Sequence, residues 1–183
     1  TLHILSDTTT LEAVVVSGVI PARANETSWN ITSLTQQKMR ASGAFNISDA
    51  LAKLPGVSQL STGVAISKPV IRGLYGNRVL AILSGLRFDN QQWQDEHGLG
   101  LNDMGIDRVE VIKGPSGLLY GSEAIGGALN IIEETPAKPN TTVADVNVRL
   151  FSNTLGTFTD LGFKGANNTR NWGMRAGINS QAH

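Results

Sequence analysis

Arg108-Val109-Glu110-Val111-Ile112-Lys113-Gly114-Pro115, then Leu119-Tyr120-Gly121-Ser122 and Ala124-Ile125-Gly126-Gly127-Ala128-Leu129-Asn130-Ile131-Ile132, is the stretch that decides the fold. The alternation over Ile106–Ile112 predicts a strand with Val109 and Val111 on one face and Arg108 and Glu110 on the other. Gly114-Pro115 stops that strand. A short helical turn from Ser116 to Tyr120 follows, and after Gly126-Gly127 the apolar run Ala128–Ile132 predicts a last strand. Strand, break, helical turn and strand in so few residues describe a small sheet with short helices.

Upstream, Ala65–Arg72 and Arg78–Leu83 read as strands joined through Gly73 to Gly76. Pro69 has no N–H to give a ladder, which assigns the first of them to a sheet edge. Asn46 and Ser48 are caps for a helix over Ile47, Ala50, Leu51 and Leu54, ended by Pro55-Gly56. Thr32 or Ser33 is the expected cap of another helix through Leu34, Gln37 and Met39, closed by Gly43. Residues 31–136 thus read as one compact unit with both helices and strands. Residues 21–30, with Pro21, read as a linker, and the extended runs Leu2–Leu5 and Ala13–Val16 precede it.

After Pro136 and Pro139 the rhythm changes. Val146, Val148 and Leu150 alternate with Asp145, Asn147 and Arg149; Leu161 and Phe163 alternate with Asp160, Gly162 and Lys164. Trp172, Met174, Ala176 and Ile178 alternate with Gly173, Arg175, Gly177 and Asn179. Ser152-Asn153 and Asn167-Asn168 supply the turns. On pattern alone an ordinary antiparallel sheet is the preferred reading; a transmembrane β-barrel has the same signature, with lipid on the apolar face.

Composition narrows the function. Lys+Arg and Asp+Glu are both 15 in 183 residues, so the net charge is zero and no chain-wide basic footprint for nucleic acid exists. Charged residues are 16% against a norm of about 25%, and the 20 glycines exceed the norm, as turn-rich β-structure requires. The absence of cysteine excludes disulfides, cysteine zinc sites and thiol catalysis. No apolar run reaches transmembrane-helix length, and no leader peptide is visible. Gly114–Gly127 lacks the Gly-Lys-Ser/Thr of a phosphate loop, and no zinc-protease or serine-hydrolase motif occurs. His3, His97 and His183 are scattered, and no nucleophile–base pair is found, so an enzyme is not expected and no resident cofactor is assigned. The five Asn-x-Ser/Thr sequons (Asn25, Asn30, Asn46, Asn140, Asn167) are what chance gives in such a chain.

Asp89–Gly98 is the most chemically concentrated segment, with amides, an indole, carboxylates and an imidazole. Asp95, Glu96 and His97 make a partial oxygen/nitrogen donor set for a metal. The plain alternative is a solvated loop pinned by Trp93.

The stretch quoted first strongly resembles the plug domain of TonB-dependent outer-membrane receptors. Ile47-Ser48-Asp49-Ala50-Leu51 to Leu54-Pro55-Gly56-Val57, Ile71-Arg72-Gly73, and Arg78-Val79-Leu80 with Gly85 match further blocks of that family in order, between residues 47 and 132. Ser84-Gly85 stands where the family often has Asp-Gly. Lys113 replaces its commoner Arg, keeping the charge without the two-pronged fork.

The resemblance implies an α+β plug domain with a small mixed β-sheet and short helices, followed by the start of a transmembrane antiparallel β-barrel. Residues 1–11 would end an N-terminal extension, 12–30 hold the TonB box and linker, 31–140 form the plug, and 141–183 begin the barrel. That barrel has about 22 strands in the family. Three strands cannot close it, so the chain is expected to be a piece of something longer. Glu12, Ala13, Val14, Val15, Val16 and Ser17 resemble the TonB box, which adds as a strand to TonB. Arg72, Arg108, Glu110 and Lys113 are the expected plug–barrel contacts; their alternative is surface charge on strand faces. Gln91, Gln92, Trp93, Asp95, Glu96 and His97 are the expected ligand contacts, with Asp95, Glu96 and His97 facing a metal. The implied function is energised uptake of a scarce metal ion or chelate, such as a ferric siderophore or haem. The implied partners are TonB with ExbB and ExbD, the rest of the barrel, the ligand and outer-membrane lipid. The place is the outer membrane of a Gram-negative bacterium, with the TonB box in the periplasm. The competing reading is an isolated periplasmic interaction or signalling module that binds a partner by strand addition through residues 12–18.

Overall fold

The computed structural model describes residues 14–17, 20–23, 30–63, 66–88, 99, 101–152 and 155–180. A hairpin of β1 (Val14–Ser17) and β2 (Ile20–Arg23) comes first, so part of the expected linker is strand.

The centre is a five-stranded sheet of β3 (Asn30–Thr35), β6 (Val79–Leu83), β7 (Leu86–Arg87), β8 (Ile106–Lys113) and β9 (Gly127–Glu133). These strands lie in the order β3-β8-β9-β6-β7. All neighbours are antiparallel except β6 and β9, which makes the sheet mixed. The stretch Arg108–Ile132 supplies two adjacent inner strands and the 3-10 helix Gly114–Tyr120 between them. Gly127 has φ +142°, and a Cβ there would sit 2.5 Å from the Ile112 carbonyl oxygen. Only glycine lets the chain leave the helical turn and enter the ladder so closely.

Both faces of this sheet are buried. One carries Val79, Ala81, Val109, Val111, Leu129 and Ile131 against two short helices, α1 (Gln36–Ala41) and α2 (Ile47–Leu51). The other carries Leu80, Ile82, Ile112 and Ala128 with Ala124. The alternation in β8 therefore does not separate core from surface: Glu110 has no exposed area. That removes the surface-charge reading for this residue.

The helix expected from Thr32 or Ser33 starts later. Residues 30–35 pair with β8 from Asn30–Lys113 to Thr35–Arg108, and the Thr35 hydroxyl accepts from Lys38 N–H as the cap of α1. Pairing with the largely buried β8 overrides local helix signals in this β-branched run. Asn46 caps α2 as read, with its side chain accepting from Asp49 N–H at 2.9 Å. Of the strand expected over 65–72, Ser67–Ile71 is β5, which forms a two-stranded sheet with β4 (Val57–Ser61) among the described residues; Pro69 stands opposite Gln59.

A second sheet of three long antiparallel strands follows: β10 (Thr141–Phe151), β11 (Gly156–Ala166) and β12 (Asn171–Ser180). Its polarity is inverted. Val146, Leu150, Met174 and Ile178 are 69–75% exposed, whereas Asp160 is 1% exposed. Val146 stands beside Leu161 and Ala176 in register on the outer face, and Ala144 beside Phe163 and Met174. An ordinary antiparallel sheet of a water-soluble protein buries its apolar face, so that preferred reading is overturned. A sheet that turns its polar face to the protein and its apolar face outward fits a lipid-facing wall.

Candidate functional site at the seam between the two sheets

The inward positions of β10, β11 and β12 meet three pieces of the first unit: helix α1, the turn Asp103–Gly105 before β8, and Glu134 just after β9. The result is a seam of ion pairs. Arg175 Nη1 donates to both oxygens of Asp160 at 3.0 and 2.9 Å and to Asp145 Oδ2 at 3.0 Å. Its Nη2 donates to Asp145 Oδ1 at 2.9 Å and to both oxygens of Glu134 at 3.0 and 3.1 Å. The guanidinium crosses the strand at Gly162, where any Cβ would collide with Asp145 Oδ1 and Arg175 Nη2. Arg40 of α1 reaches Asp160 Oδ2 at 3.3 Å. Lys164 donates to Glu134 Oε2 at 3.2 Å and to the Thr135 carbonyl at 3.1 Å.

Nearer the far end of β10, Arg149 Nη2 donates to Asp103 Oδ1 at 2.8 Å and Nη1 to the Ala44 carbonyl at 3.3 Å. Its Cζ lies 4.3 Å from the centre of the Phe158 ring, a cation–π contact. Four cations (Arg40, Arg149, Lys164, Arg175) thus face four carboxylates (Asp103, Glu134, Asp145, Asp160). Burial pushes the Glu134 carboxyl up, but hydrogen bonds from Gln36 and Lys164 and the charges of Arg175 and Lys164 outweigh it, so its pKa lies below the usual value.

The structure places the expected plug–barrel residues Arg72, Arg108, Glu110 and Lys113 within the first unit. Glu110 accepts from Arg108 Nε at 3.1 Å and from Asn130 Nδ2 at 3.0 Å, inside the first unit. Arg108 also pairs with Asp107 at 2.8 Å. Lys113 donates to the Pro55 carbonyl at 2.6 Å. Its pKa is lowered, first by burial and then by the nearby Arg72 guanidinium, which lies against Gly114. Val14, Val15, Val16 and Ser17 form β1, while Glu12 and Ala13 lie outside the described residues. Gln91, Gln92, Trp93, Asp95, Glu96 and His97 also lie outside them; among the described residues no cluster of metal ligands occurs. Sequence reasoning saw Asp145, Arg149, Asp160, Lys164 and Arg175 only as the polar half of an alternation. Arg40, Asp103 and Glu134 carried no periodic signal at all.

The family model of the TonB-dependent receptor plug domain matches residues 23–128. The chain belongs to this plug family. The proteins it matches are named as transporters and receptors rather than enzymes. The plug is 35% identical over 117 residues to the vitamin B12 transporter BtuB of Photobacterium profundum, which covers 63% of this chain and 19% of that protein. It is 33% identical over 110 residues to an iron-regulated outer membrane virulence protein of Vibrio cholerae, covering 56% of this chain and 17% of that protein. Among solved structures, FpvA of P. aeruginosa bound to a heterologous pyoverdine with iron superposes with a TM-score of 0.69 at 25% identity, over 92% of this chain and 22% of FpvA. The copper transporter OprC shares the fold, with a TM-score of 0.64 at 20% identity over 82% of this chain and 23% of that chain. The plug and its strands span about a fifth of the length of the relatives they match. The mixed sheet with short helices and the unclosed antiparallel strands agree with the fold class read from the sequence.

Proposed function

We propose that the chain gates a TonB-dependent transporter that imports a metal ion or metal chelate across the outer membrane. The observation that carries this reading is the inverted sheet β10–β12, apolar outward and tied to the plug by charged pairs inward. It is the arrangement a plug needs inside a lipid-facing barrel. An isolated periplasmic module would leave Val146, Leu150, Met174 and Ile178 in water, which weighs against that alternative.

In this reading residues 12–30 are the TonB box and linker, 31–140 the plug and 141–183 the opening strands, with 1–11 ending an extension domain. Glu12–Ser17 add as a strand to TonB in the periplasm, with ExbB and ExbD supplying energy. The β-branched run Val14–Val16 suits strand addition. The metal is cargo and no resident cofactor is needed. Relatives named for vitamin B12, siderophores and copper support a metal-bearing ligand. Gln91, Gln92, Trp93, Asp95, Glu96 and His97 make its contacts, because they combine hard donors with an aromatic surface. Binding moves the plug only by its differential affinity for the docked and released states.

The test uses the full-length receptor carrying Asp95→Ala, Glu96→Ala and His97→Ala. Cyanocobalamin, ferric enterobactin, haem and copper are the probes. Loss of at least about tenfold in affinity for the one probe the native receptor binds supports the reading. Native-like binding of that probe removes these residues from the site.

A further inference from the structure

Between the α1–α2 connection and the far end of β10 lies a cleft of about 400 Å³, with Arg40, Phe45, Arg149, Phe151 and Ser152 in its lining. That volume is within the range of small-molecule sites. Its two charged lining residues are both arginines. Their carboxylate partners, Asp160 and Asp103, have side chains only 1% and 5% exposed and do not line it. The cleft therefore shows a guest cations alone.

Donors are also in surplus here. Arg40 Nε, Arg149 Nε and Asn147 Nδ2 are buried without an acceptor among the described residues. Asn147 lies two residues before Arg149 on the same face of β10, opposite Asp160 in register. Buried donors without acceptors are rare, and two of these three belong to the guanidiniums that line the cleft. Beside them, the Phe45 and Phe151 rings stack with centroids 4.1 Å apart and planes 23° from parallel, giving an apolar wall.

We propose that this cleft binds a small organic anion, a carboxylate or phosphate on a flat apolar body, taken from solution. The anionic oxygens meet Arg40 and Arg149, whose planar forks suit them, and the body packs on the Phe45–Phe151 pair. Arg40 and Phe45 belong to the plug, and Arg149 and Phe151 to the first strand. The guest thus bridges the seam. A guest that binds only the docked state stabilises docking by mass action, so the anion acts as a clasp on the plug.

The test titrates benzoate, phenyl phosphate and inorganic phosphate into the purified full-length receptor by calorimetry, with hydrogen exchange over residues 36–45 as second readout. Saturable binding with a Kd of about 1 mM or tighter is expected, weakened roughly tenfold or more by Arg40→Gln and by Arg149→Gln. Exchange over 36–45 slows as the site fills. Phe151→Leu weakens benzoate while leaving inorganic phosphate within about twofold. Should Arg149→Gln fail to assemble, Ser152→Trp at the exposed turn fills the cleft without breaking an ion pair and abolishes binding. No saturable binding up to about 50 mM, or equal affinity in native protein, Arg40→Gln and Ser152→Trp, overturns the proposal. The readout is binding of a free anion, so failure leaves the transport reading untouched.

Discussion

Arg175→Met is the most informative single change in the seam. It removes one guanidinium from three carboxylates and puts no donor in its place. Asp160 suffers most: its side chain is 1% exposed, and among the described residues it retains only the 3.3 Å contact from Arg40. Stripping one partner from a buried pair costs about 3–5 kcal/mol when nothing remains. The surviving contact brings that to about 2–3 kcal/mol. Asp145, 35% exposed, recovers water and adds nearly nothing. Glu134 keeps Gln36 at 3.0 Å and Lys164 at 3.2 Å, which limits its share to about 0.5 kcal/mol. The sum is about 3 kcal/mol, or roughly 150-fold in the seam's opening equilibrium. Hydrogen exchange on the full-length receptor reads this directly, because amide protection follows the open population. Amides of α1 and the Asp103–Gly105 turn should exchange roughly 150-fold faster, while β10–β12 stay protected in their own ladder. Adding Asp160→Asn should restore at least half of the lost free energy, since the orphaned buried charge disappears. Acceleration below about fivefold, or a double variant as labile as the single one, would refute this account of the seam.

Two further outcomes follow from the same geometry. Val146→Lys places a charge on the outer face, 69% exposed beside Leu161 and Ala176. In a bilayer it should cost about 2–4 kcal/mol near the midplane, in urea unfolding of the receptor in lipid vesicles; a change within about 0.5 kcal/mol is what a water-exposed surface gives and would contradict a lipid-facing wall. Glu134 sets an acid limit on docking. Its docked pKa lies below the ordinary 4.5, so its contribution is complete above that value and fades as pH falls through the lower, docked one. Exchange at the seam should accelerate below pH 4.5 in the native receptor and show a smaller acid dependence in Glu134→Gln.

The sequence alone determined the plug. Its evidence was local: Asn46 before Ile47, Pro55-Gly56 after the helix, Pro69 on an edge, and Gly126-Gly127 opening the last strand. Backbone rules of this kind act within a few residues and are legible without a fold. The period-2 alternation after residue 141 was equally legible as strands. It could not tell which face is dry, because an ordinary sheet and a membrane wall share one pattern and differ only in solvent. Position in space decided that, by seating Asp160 and Arg175 against the plug and leaving Val146 and Ile178 outside. Tertiary structure also decided the start of α1, since pairing of Asn30–Thr35 with β8 displaced the helical reading. It turned Glu110 from one face of an alternating strand into a buried acceptor for Arg108 and Asn130. The seam itself joins Arg40, Asp103 and Glu134 to residues between 30 and 120 positions away in the chain. Such partners are set by how two sheets dock, a geometry that no short window of sequence contains.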